Sequence, residues 1–232
     1  MELKQLQEWM RKENLPCDTE TMQRLGLYAS LLQEWNEKMN LTAIAEPSEI
    51  YEKHFQDCLL PLSYQKLSGR IADVGSGAGF PGMVWAIVSP ECRFTLIEPT
   101  GKRCTFLAEV KTQLKLDNVE IINARAEDYA KEHREIFDTV TARAVAALPV
   151  LCELCIPLVK VSGIFLAMKG SQGKEEAQQA ERALKMLGCE NSELHEDRLS
   201  SGDERINLIF CKTKPTPGKY PRPYAQIKKK PL

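Results

Sequence analysis

The sequence lacks long hydrophobic runs, a secretory signal and a surplus of charge of either sign. No apolar run approaches the ~18 residues that a membrane-spanning helix requires. The N-terminal MELKQLQEWMRKENL has the pattern of a charged amphipathic helix rather than a signal peptide. The formal net charge is -1, which neither favours nor excludes a nucleic acid as partner. We therefore expect a cytoplasmic protein that makes no contact with a membrane.

Cysteine and histidine are present without the spacing of a disulfide or metal framework. The eight cysteines are scattered through 232 residues, mostly within apolar segments, which favours reduced and buried thiols. Cys152 and Cys155 form a single C-x-x-C within LPVLCELCIPLV, with no second C-x-x-C or nearby histidine to complete a metal site. The three histidines form no general-base constellation, and His54 is expected to be a packed or capping residue. We expect no metal.

Helical patterns occupy residues 1–66, and strand patterns alternate with helical ones from residue 69 onward. RIADV, RFTLIE, VEIINA, FDTVTA and IFLAMK are each followed by a helical pattern, which predicts a parallel sheet with crossover helices. SELHEDRL and RINLIFCK are separated only by SSGD and predict an antiparallel hairpin at the sheet edge. Either Asp18 or Thr19 caps the second helix.

These patterns predict an α/β fold with a Rossmann-like, doubly wound sheet over residues 69–212. A helical extension (1–68) packs on this core, and a basic tail (213–232) follows it. The asymmetry of charge near the C-terminus indicates a polyanionic partner, although a solvated tail is equally compatible with it. Residues 212–232 contain no acid and seven basic residues: Lys212, Lys214, Lys219, Arg222, Lys228, Lys229 and Lys230.

Residues 71–82, IADVGSGAGFPG, place four glycines directly after the first strand pattern. Glycine is used where the backbone needs positive φ or must approach a ligand closely. In a doubly wound sheet the ligand lies beyond the carboxyl end of the first strand. The segment Gly77–Gly82 matches the dinucleotide motif G-x-G-x-x-G, whereas Asp73–Gly79 matches the D-x-G-x-G-x-G loop of S-adenosylmethionine-dependent methyltransferases.

Asp73 favours the methyltransferase interpretation. Its carboxylate would repel a pyrophosphate, but it would attract the ammonium and sulfonium of S-adenosylmethionine, while the amides of Gly75, Gly77 and Gly79 would receive the carboxylate of that cofactor. Glu98 ends the second strand about 20 residues after the glycines, where an acid reaches ribose hydroxyls. Ala126 and Glu127 are placed to contact adenine, although a glutamate at a helix N-terminus is also favourable for the helix itself.

Several motifs together resemble one family over nearly the whole chain. They are DVGSGAGFPG, LIEPTGKRCTFLAEV, ARAEDY, TARAVA, MKG and YPRPYAQIKKKPL. This combination is similar to the ribosomal RNA small-subunit methyltransferase G family, also known as glucose-inhibited division protein B. The resemblance implies a class I S-adenosylmethionine-dependent methyltransferase that modifies N7 of a guanine in 16S ribosomal RNA. It also implies cofactor contacts at Gly75, Phe80, Ala126, Glu127 and Arg143. The tail departs from the family, which more often has a glycine-containing stretch before the lysines.

Basic residues at the carboxyl ends of the predicted strands fit an RNA substrate, because phosphate contacts give most of the affinity for nucleic acid. The candidate RNA contacts are Lys102, Arg103, Arg125, Arg143, Lys169, Arg222, Lys228, Lys229 and Lys230. Guanine N7 has an in-plane lone pair and no proton to lose, so we expect no catalytic base and a mechanism of positioning. Phe80 is a candidate aromatic wall for the cationic product.

Two other functions stay open at this stage. One is a nicotinamide-dependent oxidoreductase on a similar fold, and the other is a non-catalytic RNA-binding protein. We expect a monomer whose partner is ribosomal RNA or a ribosomal subunit.

Overall fold

The computed structural model describes residues 1–44 and 46–232, except for the side chain of residue 191. The helices are α1 (Leu3–Lys12), α2 (Thr19–Met39), α3 (Pro47–Glu49), α4 (Asp57–Leu59), α5 (Gly82–Val88), α6 (Gly101–Leu114), α7 (Ala126–Glu132), α8 (Leu148–Cys155), α9 (Gly173–Leu187) and α10 (Tyr224–Lys229). The strands are β1 (Arg70–Val74), β2 (Arg93–Ile97), β3 (Val119–Ile122), β4 (Phe137–Arg143), β5 (Val159–Lys169), β6 (Cys189–Arg198) and β7 (Glu204–Lys212). A π-helix (Ile50–Gln56) joins α3 to α4, and two 3₁₀-helices cover Leu60–Ser63 and Ile156–Leu158.

The seven strands form one sheet in the order β3-β2-β1-β4-β5-β7-β6. Strands β1 to β5 are parallel, and β7 and β6 add an antiparallel hairpin at one edge. The doubly wound fold and the edge hairpin predicted from the sequence are therefore confirmed. The order of the strands reverses between β1 and β4, which is where such sheets bind ligands. We call the end of the sheet at which β1 to β5 finish the carboxyl edge.

The N-terminal helices share a hydrophobic core with the sheet. Leu6 of α1 and Leu25 and Tyr28 of α2 are fully buried in the same cluster as Trp85 of α5 and Phe106 of α6. Asp18 is the residue that caps α2, because its side chain accepts a hydrogen bond from the amide of residue 21 at 2.8 Å. Helices α1, α2, α5 and α6 cover one face of the sheet, and α7 to α10 cover the other. The domain boundaries at 68 and 212 stay predictions.

Residues 213–232 do not form a detached tail. They fold back over α8 and include the short helix α10, in which Ile227 is fully buried. Arg222 makes a bidentate ion pair with Glu153 of α8, with Nη2 2.6 Å from Oε2. The side chain of Lys212 is wholly buried within β7, where Nζ lies 2.8 Å from Glu135 and donates to two backbone carbonyls. Both cations therefore have a structural role, and the contact of Arg222 with RNA stays a prediction.

The segment from Pro47 to Leu59 positions polar side chains under the carboxyl edge. Its central turn is the π-helix, a conformation that occurs often at functional sites. His54 and Asp57 are both buried although they are polar. Within 1–44 and 46–232, no helix is long and apolar enough to span a membrane. The same residues contain no group of three or more histidine, cysteine or acidic side chains suited to a metal ion.

Candidate cofactor and substrate site

The loop between β1 and α5 crosses the carboxyl edge of the sheet. Its backbone has φ of +70° at Gly75, +60° at Gly77 and +98° at Gly79, a conformation that side chains with a Cβ rarely adopt. The amides of these glycines already donate to protein acceptors, namely the carbonyls of Ile97 and Ser76 and the carboxylate of Glu98. The structure does not support the prediction that they receive a ligand carboxylate.

The three glycines differ in what surrounds them. A Cβ on Gly75 would lie 2.6 Å from Val145, and one on Gly79 would lie 2.5 Å from the hydroxyl of Tyr28. A Cβ on Gly77 would meet nothing closer than a backbone oxygen at 3.9 Å. Gly75 and Gly79 are therefore required by internal packing. Gly77 presents bare backbone to open space, where a ligand can approach.

Two acids predicted to contact the cofactor hold this loop in place. Asp73 Oδ2 accepts a hydrogen bond from the amide of Gly82 at 2.8 Å. Glu98 accepts from the amides of Gly77 and Thr100, each at 2.9 Å, and is almost completely buried. The structure thus places Glu98 against the glycine loop, and its predicted contact with a ribose stays a prediction.

Asp73 retains an unused acceptor. Its Oδ1 is buried and has no hydrogen-bond partner among the residues that the structure describes, and the same holds for Ser76 Oγ. Burial is the main reason that the pKa of Asp73 rises to about 7, and the nearby Gly82 amide and Arg143 oppose the rise. The zwitterionic end of S-adenosylmethionine needs an acceptor for its ammonium and a donor for its carboxylate. Asp73 Oδ1 and Ser76 Oγ have these unused capacities, so the loop fits that group.

Ala126 and Glu127 begin α7 at the carboxyl end of β3. Both are buried, and Glu127 Oε1 accepts from Arg125 Nε at 2.6 Å. The guanidinium of Arg125 also lies 4.4 Å from the ring centre of Tyr224 in α10. Arg125 therefore links the N-terminus of α7 to the folded C-terminal segment, while its side chain stays nearly half exposed.

Arg143, at the end of β4, is held by the π-helix segment. Its Nη1 donates to Asp57 Oδ2 at 2.7 Å, and its Nη2 donates to His54 Nδ1 at 2.8 Å. Asp57 accepts a second charge-assisted bond from Arg205 of β7 at 3.0 Å. Burial and the charge of Arg143 lower the pKa of His54 to about 3. His54 is therefore a neutral, packed acceptor and has no place as a general base.

Phe80 is covered rather than open to a substrate. Its ring stacks on His54 with centroids 4.3 Å apart and on Tyr28 at 5.5 Å. The Arg143 guanidinium lies 5.2 Å from the ring centre, and the residue is 5% exposed. The ring thus supports the glycine loop, while its roles as a cofactor contact and as a wall for the product base stay predictions.

A cavity of about 630 Å³ opens beside this network, at the ends of β4 and β5. Four cationic residues line it: Lys53, Arg143, Lys169 and Arg205. The ammonium of Lys169 lies 2.7 Å from Glu176 and donates to the carbonyl of residue 146, and its side chain is 8% exposed. The charge of Lys169 is thus already paired inside the protein, and its contact with a phosphate stays a prediction.

The remaining candidate RNA contacts fall into two groups. Lys102 at the start of α6 and Lys228, Lys229 and Lys230 in and after α10 are exposed. Arg103 lies 3.8 Å from Glu98 and is partly exposed. The structure therefore leaves lysines of α6 and α10 accessible, whereas Arg143, Lys169 and Arg222 are engaged within the protein.

Sequence reasoning missed Tyr28, Asp57 and Arg205. Asp57 lies in a segment that otherwise looks like ordinary helix, and Arg205 directly follows two acids at the start of a strand pattern. Their pairing spans 148 positions in the chain and joins the N-terminal helices to the edge hairpin. The sequence signal that was available is the aspartate in the apolar HFQDCLL, since a charge on a buried helix face needs a partner.

Comparison with known proteins identifies relatives over most of the chain. The model of the GidB family, described as rRNA small subunit methyltransferase G, matches residues 21–206. A ribosomal RNA small subunit methyltransferase G from Desulfitobacterium hafniense (strain Y51) is 45% identical over 94% of this chain and 92% of its own length. The protein of the same name from Oceanobacillus iheyensis is 41% identical, covering 96% of both chains.

The fold also occurs in solved structures. A variant of 16S rRNA (adenine(1408)-N(1))-methyltransferase with cosubstrate SAM, from Catenulisporales acidiphilia, aligns with a TM-score of 0.51 and 13% identity. The alignment covers 69% of this chain and 91% of that one. At this identity the likeness shows a shared fold.

Proposed function

This chain belongs to the rRNA small subunit methyltransferase G family, and on that premise we propose that it transfers a methyl group from S-adenosylmethionine to N7 of a guanine in small-subunit ribosomal RNA. The observation that carries the proposal is the match of the family model to residues 21–206. The open space at Gly77 and the unused acceptor of Asp73 agree with it. We further propose that the protein acts in the cytoplasm as a monomer.

S-adenosylmethionine supplies an electrophilic methyl group on a positively charged sulfur. The residues of this chain bind the cofactor and orient it. Asp73 Oδ1 would accept from the cofactor ammonium, Ser76 Oγ would donate to its carboxylate, and Gly77 would leave room for the rest of the molecule. Glu98, after β2, and Glu127, after β3, would form two sides of the cofactor pocket. No residue has to remove a proton, because guanine N7 reacts through a lone pair. Catalysis then depends on how the methyl group and the base are positioned for attack.

The cavity at the ends of β4 and β5 is the proposed entrance of the target base. Arg143 and Arg205, both fixed by Asp57, supply positive charge there that is oriented before the RNA arrives. Exposed Lys102, Lys228, Lys229 and Lys230 are the proposed phosphate contacts. Arg103 and Arg125 stay candidates for the same role, since each keeps a partly exposed side chain.

The alternatives from the sequence receive no support. Neither the family model nor the relatives reported above are oxidoreductases, and their names describe methyltransferases rather than passive RNA-binding proteins.

The test is a methyl-transfer assay with radiolabelled S-adenosylmethionine on naked 16S ribosomal RNA, free small subunits and whole ribosomes. We expect label in a guanine that becomes sensitive to borohydride reduction and aniline cleavage, as N7-methylguanine is. A Gly77→Val variant is the negative control. Label in a base that resists this cleavage would refute the N7 assignment, and absence of transfer to all three substrates would refute the activity.

A further inference from the structure

The glycine loop is held by side chains from three different elements. Asp73 of β1 and Glu98, which directly follows β2, accept hydrogen bonds from the amides of Gly82 and Gly77. The third is Tyr28 of α2, whose hydroxyl donates to the carbonyl of Ala78 at 2.5 Å. Ala78 lies between Gly77, which faces open space, and Gly79. The bond therefore reaches the part of the loop at which a ligand approaches.

Tyr28 is built into this position. It is fully buried, and its ring stacks on Phe55 of the π-helix at 5.3 Å and on Phe80 of the loop at 5.5 Å. Gly79 has no Cβ and so leaves room for the hydroxyl, which a Cβ there would approach to 2.5 Å. The loop and the tyrosine thus have complementary shapes, and the hydroxyl joins chain segments that are 50 positions apart.

We propose that Tyr28 is a positioning residue that fixes the glycine loop in its cofactor-binding conformation, which makes the N-terminal helices part of the cofactor site. The inference rests on the cofactor named in the proposed function. The loop must present Gly77 to the ligand with three residues at positive φ, a conformation that glycines adopt and also leave easily. A buried hydrogen bond to the Ala78 carbonyl reduces that freedom before the ligand arrives.

The experiment compares Tyr28→Phe with Tyr64→Phe. The first removes the hydroxyl and keeps the stacked ring. The second removes a hydrogen-bonded hydroxyl from the same N-terminal segment, where Tyr64 donates to Asp197 at 2.9 Å on the far hairpin. Calorimetry measures the dissociation constant of S-adenosylhomocysteine without RNA, and amide hydrogen exchange measures opening of residues 75–80.

For Tyr28→Phe we expect the dissociation constant to rise about 3- to 10-fold, as the loss of one buried hydrogen bond allows. Exchange at residues 75–80 should accelerate, and the KM for S-adenosylmethionine should rise while kcat at saturation changes by less than about twofold. Tyr64→Phe should match the wild type in all three measurements.

The outcomes separate the two proposals. Equal affinity and equal exchange in Tyr28→Phe and the wild type would overturn the role of Tyr28 and leave the proposed function intact. Weakening of equal size in both variants would show a general effect of lost stability and would also overturn it. A wild-type protein that binds no S-adenosylhomocysteine would refute the cofactor, and with it both proposals.

Discussion

The carboxyl edge of the sheet has two halves that differ in the sign and the satisfaction of their charges. The half at β1 to β3 carries the acids Asp73, Glu98 and Glu127, and Asp73 retains a buried oxygen without a partner in the described chain. The half at β4, β5 and β7 carries Arg143, Lys169 and Arg205, and each of them has an acidic partner within 3.0 Å.

This difference separates two ways of preparing a site. Where the charge is left partly uncompensated, an oppositely charged ligand group gains most on binding. Where cations are held by acids, as Arg143 and Arg205 are by the single carboxylate of Asp57, the protein has fixed the direction of the charge and weakened part of its attraction for a ligand. The first half is thus suited to recognise a small cation-bearing cofactor. The second is suited to orient a base, and exposed lysines outside the cavity have to supply the attraction for phosphates.

The largest effect should come from filling the open position in the acidic half. We expect Gly77→Val to raise the dissociation constant of S-adenosylhomocysteine more than about 100-fold, because the valine side chain would occupy the ligand's space. Calorimetry measures the affinity. Gly202→Val is the matched control, since Gly202 also has positive φ and a Cβ there meets nothing within 4 Å. Both variants should lose about 1–2 kcal/mol of stability from the backbone. Retention of wild-type affinity by Gly77→Val would place the pocket elsewhere.

Next in size is the loss of the fixed cation in the basic half. Arg143→Ala removes the guanidinium from Asp57, His54 and Phe80 together, and we expect methyl transfer to fall about 100-fold through misplacement of the reactants. RNA affinity should fall much less, because Arg143 is mostly buried. Parallel measurement of kcat/KM and of RNA binding tests this, with circular dichroism as a check of folding. If RNA affinity drops as far as the rate, Arg143 is a phosphate contact rather than part of the transfer site.

A smaller effect on cofactor affinity is expected from Asp73→Asn, which keeps the shape of the acidic half and removes one of its charges. Ionised Asp73 should attract the ammonium of S-adenosylhomocysteine, so wild-type affinity should rise with pH through about 7, the pKa of this buried acid. Asp73→Asn should bind about 10-fold more weakly at pH 8, by roughly 1.4 kcal/mol, and its affinity should be flat across the same range. Calorimetry between pH 6 and about pH 8.5 measures both curves.

The same variant has a consequence for stability, with a sign that can be checked. The pKa of Asp73 is higher in the folded protein than its usual 3.8. Protonation therefore favours the folded state, and this stability is present below the usual pKa and is lost as the pH rises through about 7. Denaturant unfolding at pH 5 and at pH 8 should show a larger loss for the wild type than for Asp73→Asn. Equal losses would mean that Asp73 ionises normally.

The smallest effect concerns the exposed lysines of α10. Replacing Lys228, Lys229 and Lys230 together by Ala should flatten the salt dependence of RNA binding by about 0.7–0.9 for each lost phosphate contact, without a change in cofactor affinity. The matched control changes Lys66, Arg93 and Lys111, which lie toward the opposite edge of the sheet, to Ala. Similar slopes for the two triple variants would show that α10 makes no specific contribution.

The sheet could be predicted because the local sequence pattern indicates each strand and helix. Parallel pairing follows from the alternation of RIADV, RFTLIE and FDTVTA with helices, and the hairpin follows from SSGD. The position of the glycine loop at the switch point follows from the same order. Gly77 could be selected as a site residue for that reason, whereas the different tasks of Gly75 and Gly79 depend on Val145 and Tyr28, which are distant in sequence.

The long-range pairing of charges could not be predicted. Glu153 within LPVLCELCIPLV indicates a buried acid that needs a cation, but nothing local selects Arg222 among the basic residues that follow. In the sequence, Lys212 is the first of the seven basic residues near the C-terminus. In the structure, it lies at the end of β7 and is buried beside Glu135. The run of basic residues therefore predicted an exposed surface. In the fold, some of these residues are counterions for buried or half-buried acids.

The ion pair between Glu153 and Arg222 also leads to an expectation about folding during synthesis. Helix α8 leaves the ribosome with an acid on a face that will be fully buried, and its partner follows 69 positions later. Until Arg222 emerges, burial of this face would enclose an unpaired carboxylate, which is strongly unfavourable. We expect the layer of α8 and α10 to be the part of the molecule that closes last.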